Sequence, residues 1–181
     1  DGATAGALCI SDNDPALAES VARRTAKHFW DIRQDANAEY LSLAEAARRS
    51  LHAHQPVIIA DLADNPGGGA SGDSTFALNA LYDAGVERAA FGCIWDAETV
   101  AHCFAAGEGS HLQVAIGGKH GSVSGPPFLC NARIMRLLPE HFQSVKKWTS
   151  PLGQAAWLRL EPEIDVVVCK LRNQVYGRTA Y

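Results

Sequence analysis

The chain has 181 residues, 47% hydrophobic and 20% charged, a balance that suits a folded domain with an appendage and excludes a disordered chain. Sixteen basic against twenty acidic residues give a formal charge of −4, which argues against a general nucleic-acid binder. No apolar run approaches the roughly 18 residues of a membrane span, and the first ten residues lack the basic and apolar regions of a signal peptide.

Asp14-Pro15 opens a helix: the carboxylate can cap and the proline suits the first helical position. Leu17, Val21, His28, Phe29 and Ile32 then recur on one face at helical spacing. Ser42-Leu43-Ala44-Glu45 fits a capping box, predicting a second helix to about His54. Val57-Ile58-Ile59-Ala60 reads as a short buried strand. A glycine-rich loop runs from Asp61 to Ser74, with Asp73 or Ser74 able to cap a helix through Phe76, Leu78, Leu81 and Tyr82, stopped by Gly85. Arg88–Trp95 reads as a strand, Asp96 caps a helix ending near Gly107, and His111–Ile116 is another strand.

Strand and helix alternate here, so the first half predicts parallel α/β units. After Gly117 the strands Phe128–Leu138, Ala155–Leu160 and Ile164–Leu171 follow with no helical pattern between them. The expected fold is α/β with parallel units first and a more antiparallel, β-rich second half. The five cysteines, Cys9, Cys93, Cys103, Cys130 and Cys169, form no C-x-x-C pair and read as buried free thiols. The seven histidines are scattered, and none forms a metal-binding pair on a helix.

The glycine-rich loop carries the functional signal. It joins a strand to a helix, where ligands of open α/β sheets bind. Gly67, Gly69 and Gly72 match G-x-G-x-x-G, and Gly67, Gly72 and Ser74 match part of a P-loop. Asp73 stands where the P-loop lysine should be, so it would repel phosphate. Asp61, Asp64 and Asp73 offer a different chemistry: orienting a catalytic group, holding a substrate amine or binding a cation. They can equally bond to their own turn.

Pro56–Asp61 running into Ala63-Asp64-Asn65-Pro66-Gly67-Gly68-Gly69, then Gly72-Asp73-Ser74-Thr75, resembles the C-terminal domain of the microcystinase C (MlrC) family. Ile94-Trp95-Asp96, Ile116-Gly117-Gly118-Lys119, Ser124–Pro127 and Ile164–Val168 with Arg172 and Gln174 agree in order, covering about Pro56 to Val175. The resemblance implies a bacterial, cytoplasmic, zinc-dependent peptidase acting on a peptide or amide. It puts the metal ligands in an N-terminal domain missing from this chain. Residues 1–55 then resemble the junction with that domain, and 56–181 a C-terminal α/β domain truncated at its end. On this reading the chain alone binds no zinc and is inactive. Asp64 and Asn65 are its candidate catalytic or orienting residues. Asp61, Gly67, Gly68, Gly69, Asp73, Ser74, Lys119, Arg172 and Gln174 are its candidate substrate contacts. The loop N–H groups would face a substrate carboxylate or oxyanion. A non-catalytic binding or assembly module and a nucleotide- or phosphate-binding Rossmann-like enzyme domain are the alternatives, and a homo-oligomer is a possible assembly.

Overall fold

A computed structural model describes residues 5–36, 38–145 and 147–180. The chain divides into two compact units, 1–41 and 42–181. The first holds α1 (Pro15–Asp31), where Asp14 accepts a hydrogen bond from the Leu17 N–H at 2.9 Å and proline takes the first turn. No α1 residue is buried; Leu17 and Phe29 of its apolar stripe are exposed, as is the neighbouring Trp30.

The second unit begins with α2 (Leu43–Ser50), capped by the Ser42 hydroxyl on the Glu45 N–H at 3.2 Å. Then come α3 (Phe76–Asp83), β1 (Ala89–Trp95), α4 (Ala97–Ala106), β2 (His111–Ile116), β3 (Phe128–Val145), β4 (Trp148–Leu160) and β5 (Ile164–Cys169). α2 ends four residues before the expected His54. Among the described residues no helix is long and apolar enough to cross a membrane.

The five strands form one mixed, curled sheet in the order β1-β5-β4-β3-β2. Only β1 and β5 are parallel; the other neighbours are antiparallel. This corrects the expected parallel units of the first half. β1 and β2 lie at opposite edges, and the parallel partner of β1 comes from the end of the chain. Val57–Ala60 is not a strand and is not buried: Ile58 is 96% exposed. Its composition suits a strand, but strand formation is decided by a ladder partner, and none of the described strands pairs with it. The core packs Leu78 of α3 and Val100 and Cys103 of α4 against Ile94, Ile116, Ile134, Leu158 and Val166 of the sheet.

The curl brings the C-terminal ends of both edge strands to one place. The Trp95 N–H donates to the Gly72 carbonyl and the Gly118 N–H to the Asp73 carbonyl, each at 2.7 Å. Gly72-Asp73 therefore bridges the ends of β1 and β2, closing the sheet where no strand does.

Candidate functional site

The glycine-rich loop is folded on its own acidic and amide side chains. Asp61 Oδ1 accepts from the N–H groups of Ala63 (3.0 Å) and Asp64 (3.3 Å). Asn65 Oδ1 accepts from the Gly67 N–H at 2.9 Å, opening a short 3-10 turn over Pro66–Gly68. The Gly68 and Ala70 N–H groups donate to the Asn65 carbonyl and that of Gly69 to the Pro66 carbonyl. Asp64 clamps the far end, its two oxygens accepting from Gly72 N–H at 2.8 Å and Ser74 N–H at 2.7 Å. Burial pushes the Asp64 carboxyl above its ordinary value; these two N–H groups oppose the shift and the nearby charges of Asp61 and Asp73 add to it.

From outside the loop, the Arg172 guanidinium donates to the Pro66 carbonyl (3.0 Å) and the Ala70 carbonyl (2.6 Å). Gln174 Oε1 lies only 1.8 Å from where a Gly67 side chain would start. Only glycine lets this amide approach so closely.

Asp73 is fully buried. Its Oδ2 accepts from the N–H groups of Lys119 (2.8 Å) and His120 (2.9 Å) and faces His120 Nδ1 at 3.0 Å. Its Oδ1 accepts from the Ser124 hydroxyl at 2.6 Å. Burial alone would raise the Asp73 pKa, but the hydrogen bonds from Ser124, Lys119 and His120 outweigh it and hold the group below the ordinary carboxylate value. An ionised carboxylate only accepts, so this contact puts the His120 proton on Nδ1. The His120 ring stacks on Trp95 with centroids 3.6 Å apart and planes 10° apart. Trp95 is pinned in turn by its indole N–H on the Lys170 carbonyl at 3.2 Å. His120 Nε2 has no protein partner among the described residues, and its side chain is one-third exposed.

A second buried carboxylate sits beside the first. Asp96 caps α4 through the Thr99 N–H (2.9 Å) and accepts from the Thr99 hydroxyl (2.7 Å) and the Gly117 N–H (2.9 Å). Lys119 Nζ lies 2.8 Å from Asp96 Oδ1 and 3.1 Å from the Thr99 hydroxyl. Its ammonium thus turns inward to a buried partner.

All eleven sequence-predicted residues lie in the three segments meeting at this edge: the glycine-rich loop, the turn after β2 and the stretch after β5. Arg172 and Gln174 are not on a strand, because β5 stops at Cys169. Neither Asp73 nor Ser74 caps α3; its N-cap is Thr75, which makes no side-chain capping bond, and Asp73 is engaged with the turn after β2. Sequence reasoning passed over His120, Ser124 and the Asp96–Lys119 pair. The available signal was Gly117-Gly118-Lys119-His120, a second glycine turn directly after a strand. Among the described residues, no three histidine, cysteine or acidic side chains converge as metal ligands.

The fold and this edge define an α/β domain with a polar rim built from two glycine turns and two buried carboxylates. The family profile described as "MlrC C-terminus" matches residues 59–181, and the chain belongs to that family. It is 31% identical over 173 residues to a Microcystinase C of Sphingomonas sp, covering 94% of this chain and 34% of the relative. It therefore spans about a third of that protein's length. A crystal structure of a provisionally assigned metallopeptidase from Mesorhizobium sp. BNC1 shares the fold with a TM-score of 0.78 at 20% identity, covering 90% of this chain and 33% of the other.

Proposed function

We propose that this chain is the C-terminal portion of an MlrC-like zinc metallopeptidase, bacterial and cytoplasmic. Its polar edge would complete a peptide- or amide-hydrolysing site whose metal is held by the rest of the protein. Coverage of one-third of Microcystinase C supports the division into parts. The observation that carries the role of this half is the Asp73–His120 pair, an imidazole fixed at Nδ1 by a buried carboxylate and presenting Nε2 outward. That arrangement suits an imidazole that takes or gives a proton, or donates to developing negative charge. Asp64 and Asn65 act by holding the loop that walls the site. Asp61, Gly67–Gly69, Ser74, Arg172 and Gln174 shape the surface a substrate would meet. The described residues bring together no set of ligands for a metal, so in this reading the metal belongs to the rest of the protein.

The phosphate-binding alternative is disfavoured by charge and by donor use. The Gly72 and Ser74 N–H groups are taken by Asp64, and Asp73 is a buried anion beside them.

The test is His120→Gln and His120→Ala in the intact protein, assayed on linear peptides with metal content and melting temperature in parallel. A kcat lower by about 10²–10⁴ fits loss of a proton-transfer group, provided metal content and melting temperature are unchanged. Full activity in both variants overturns this role. The assembly-module reading draws on the exposed Val57–Ile59 run. It gains ground if both variants keep full activity while substitutions in that run separate this portion from the rest.

A further inference from the structure

Three titratable side chains outside the Asp73–His120 pair meet under the last described turn. Cys93 of β1, Cys169 of β5 and His141 of β3 come from three different strands. Cys93 Sγ and His141 Nε2 converge on one acceptor, the Ala180 carbonyl, at 2.8 and 3.0 Å. Cys93 lies in the same small cluster as Cys169, Leu152, Ala155 and Ala180. The meeting falls where β1 slips register against β5 between Phe91 and Ile94, so that Cys93 lies in an irregular stretch of the strand two residues before Trp95, the partner of Cys169. The two thiols are not equivalent. Cys169 is buried, while Cys93 is partly exposed and lines a cavity of about 700 Å³ shared with Asp64, Ser74 and Gln174.

We propose that Cys93 and Cys169 form a dithiol site for low-molecular-weight disulfides, with Cys93 as the attacking sulfur and Cys169 as the resolving one. The environment supports that order. The Cys169 thiol beside it outweighs burial and, with His141, holds the Cys93 thiol below its ordinary value, while Cys169 itself donates to the Leu171 carbonyl at 3.4 Å. The Ala180 carbonyl works the other way, since it accepts from the protonated thiol. The same Cys93 neighbour, together with burial, pushes Cys169 upward. The Cys93 thiolate attacks one sulfur of a disulfide such as oxidised glutathione. A Cys93 mixed disulfide forms, and one glutathione thiolate leaves and takes a proton. The charge that kept Cys169 protonated is then gone. Cys169 loses its proton to solvent or His141 and attacks the Cys93 sulfur, expelling the second glutathione as thiol. Two protein thiols are oxidised by two electrons, and one disulfide is reduced to two thiols. The intermediate adduct would occupy the cavity beside the glycine-rich loop.

The experiment treats the intact protein with oxidised glutathione, then digests it without reduction and reads it by mass spectrometry. The expected product links the peptides bearing Cys93 and Cys169, with a loss of two hydrogens reversed by dithiothreitol. Cys169→Ser should stop at a stable Cys93–glutathione adduct, and Cys93→Ser should leave Cys169 unmodified. Unfolded variants would be bypassed by competitive alkylation of the wild-type protein, in which Cys93 should react at least tenfold faster than buried Cys103. Adducts on Cys93 that never resolve in the wild type overturn the pair. Cys93 alkylation no faster than that of Cys103 overturns the site.

Discussion

Asp73 grips His120 twice with one oxygen, taking its backbone N–H at 2.9 Å and facing its ring Nδ1 at 3.0 Å. The carboxylate comes from the loop before α3 and the histidine from the turn after β2. One buried charge thus orders the site and ties the two edges of the sheet.

That double use sets the first prediction. Asp73→Asn keeps the shape but puts donors where Lys119, His120 and Ser124 also donate. The loss should be about 2–4 kcal/mol, as for a buried group whose hydrogen bonds fail. The Asp73 pKa is lowered in the folded protein, so its stabilisation is present above the ordinary carboxylate value, near pH 4. It is lost as pH falls through the lowered folded value. Denaturant titrations should show the largest gap between wild type and variant at neutral pH and a shrinking gap in acid. A gap that widens on acidification refutes this account.

Two glycine substitutions separate a rigid site from a yielding one. Gly117 has φ +61, and a Cβ there would lie 2.6 Å from the Asp73 carbonyl oxygen, a backbone atom that cannot step aside. Gly117→Ala should cost about 2–3 kcal/mol, combining left-handed strain with the clash. Gly67→Ala meets only the tip of Gln174, which can rotate away, so it should cost under about 1 kcal/mol. Equal melting temperatures for the two variants would contradict this ranking.

Local signals were legible because they act within a few residues. Asp14, Ser42 and Asp96 cap their helices as residue type and spacing suggest, and β2 covers the expected His111–Ile116. Pairing was not legible. β1 finds its parallel partner in β5, with Ala89 opposite Ile164, a contact that no local pattern encodes. The edge was half legible. The glycine-rich loop announced itself by composition, whereas His120 is one of seven histidines and became distinct only when Asp73 reached it from 47 residues away.

Lys119 should behave as a structural anchor. Its ammonium bonds to a carboxylate that is fully buried. Lys119→Met would strip a charge partner from Asp96 while Thr99 and Gly117 keep their hydrogen bonds to it. Removing one partner of a buried pair typically costs about 3–5 kcal/mol, and the retained donors should place this case near the lower end. Equilibrium unfolding is the measurement. A weaker substrate KM with unchanged stability would show that the lysine faces substrate.

The apolar run beside β1 makes the last prediction. Val57 is 50% exposed, Ile58 96% and Ile59 37%, although a four-residue apolar run ordinarily signals burial. The chain spans about a third of the length of its curated relative, and the prediction is that the rest of the protein covers this run. In the chain alone Ile58→Lys should change stability by no more than about 0.5 kcal/mol, as for an exposed position. In the intact protein it should cost at least about 1.5 kcal/mol, the scale for burying one large aliphatic side chain. Hydrogen exchange gives an independent reading: amides 57–60 should exchange freely in the chain alone and become protected in the intact protein. Equally fast exchange in both would leave the run uncovered and remove it as a docking surface.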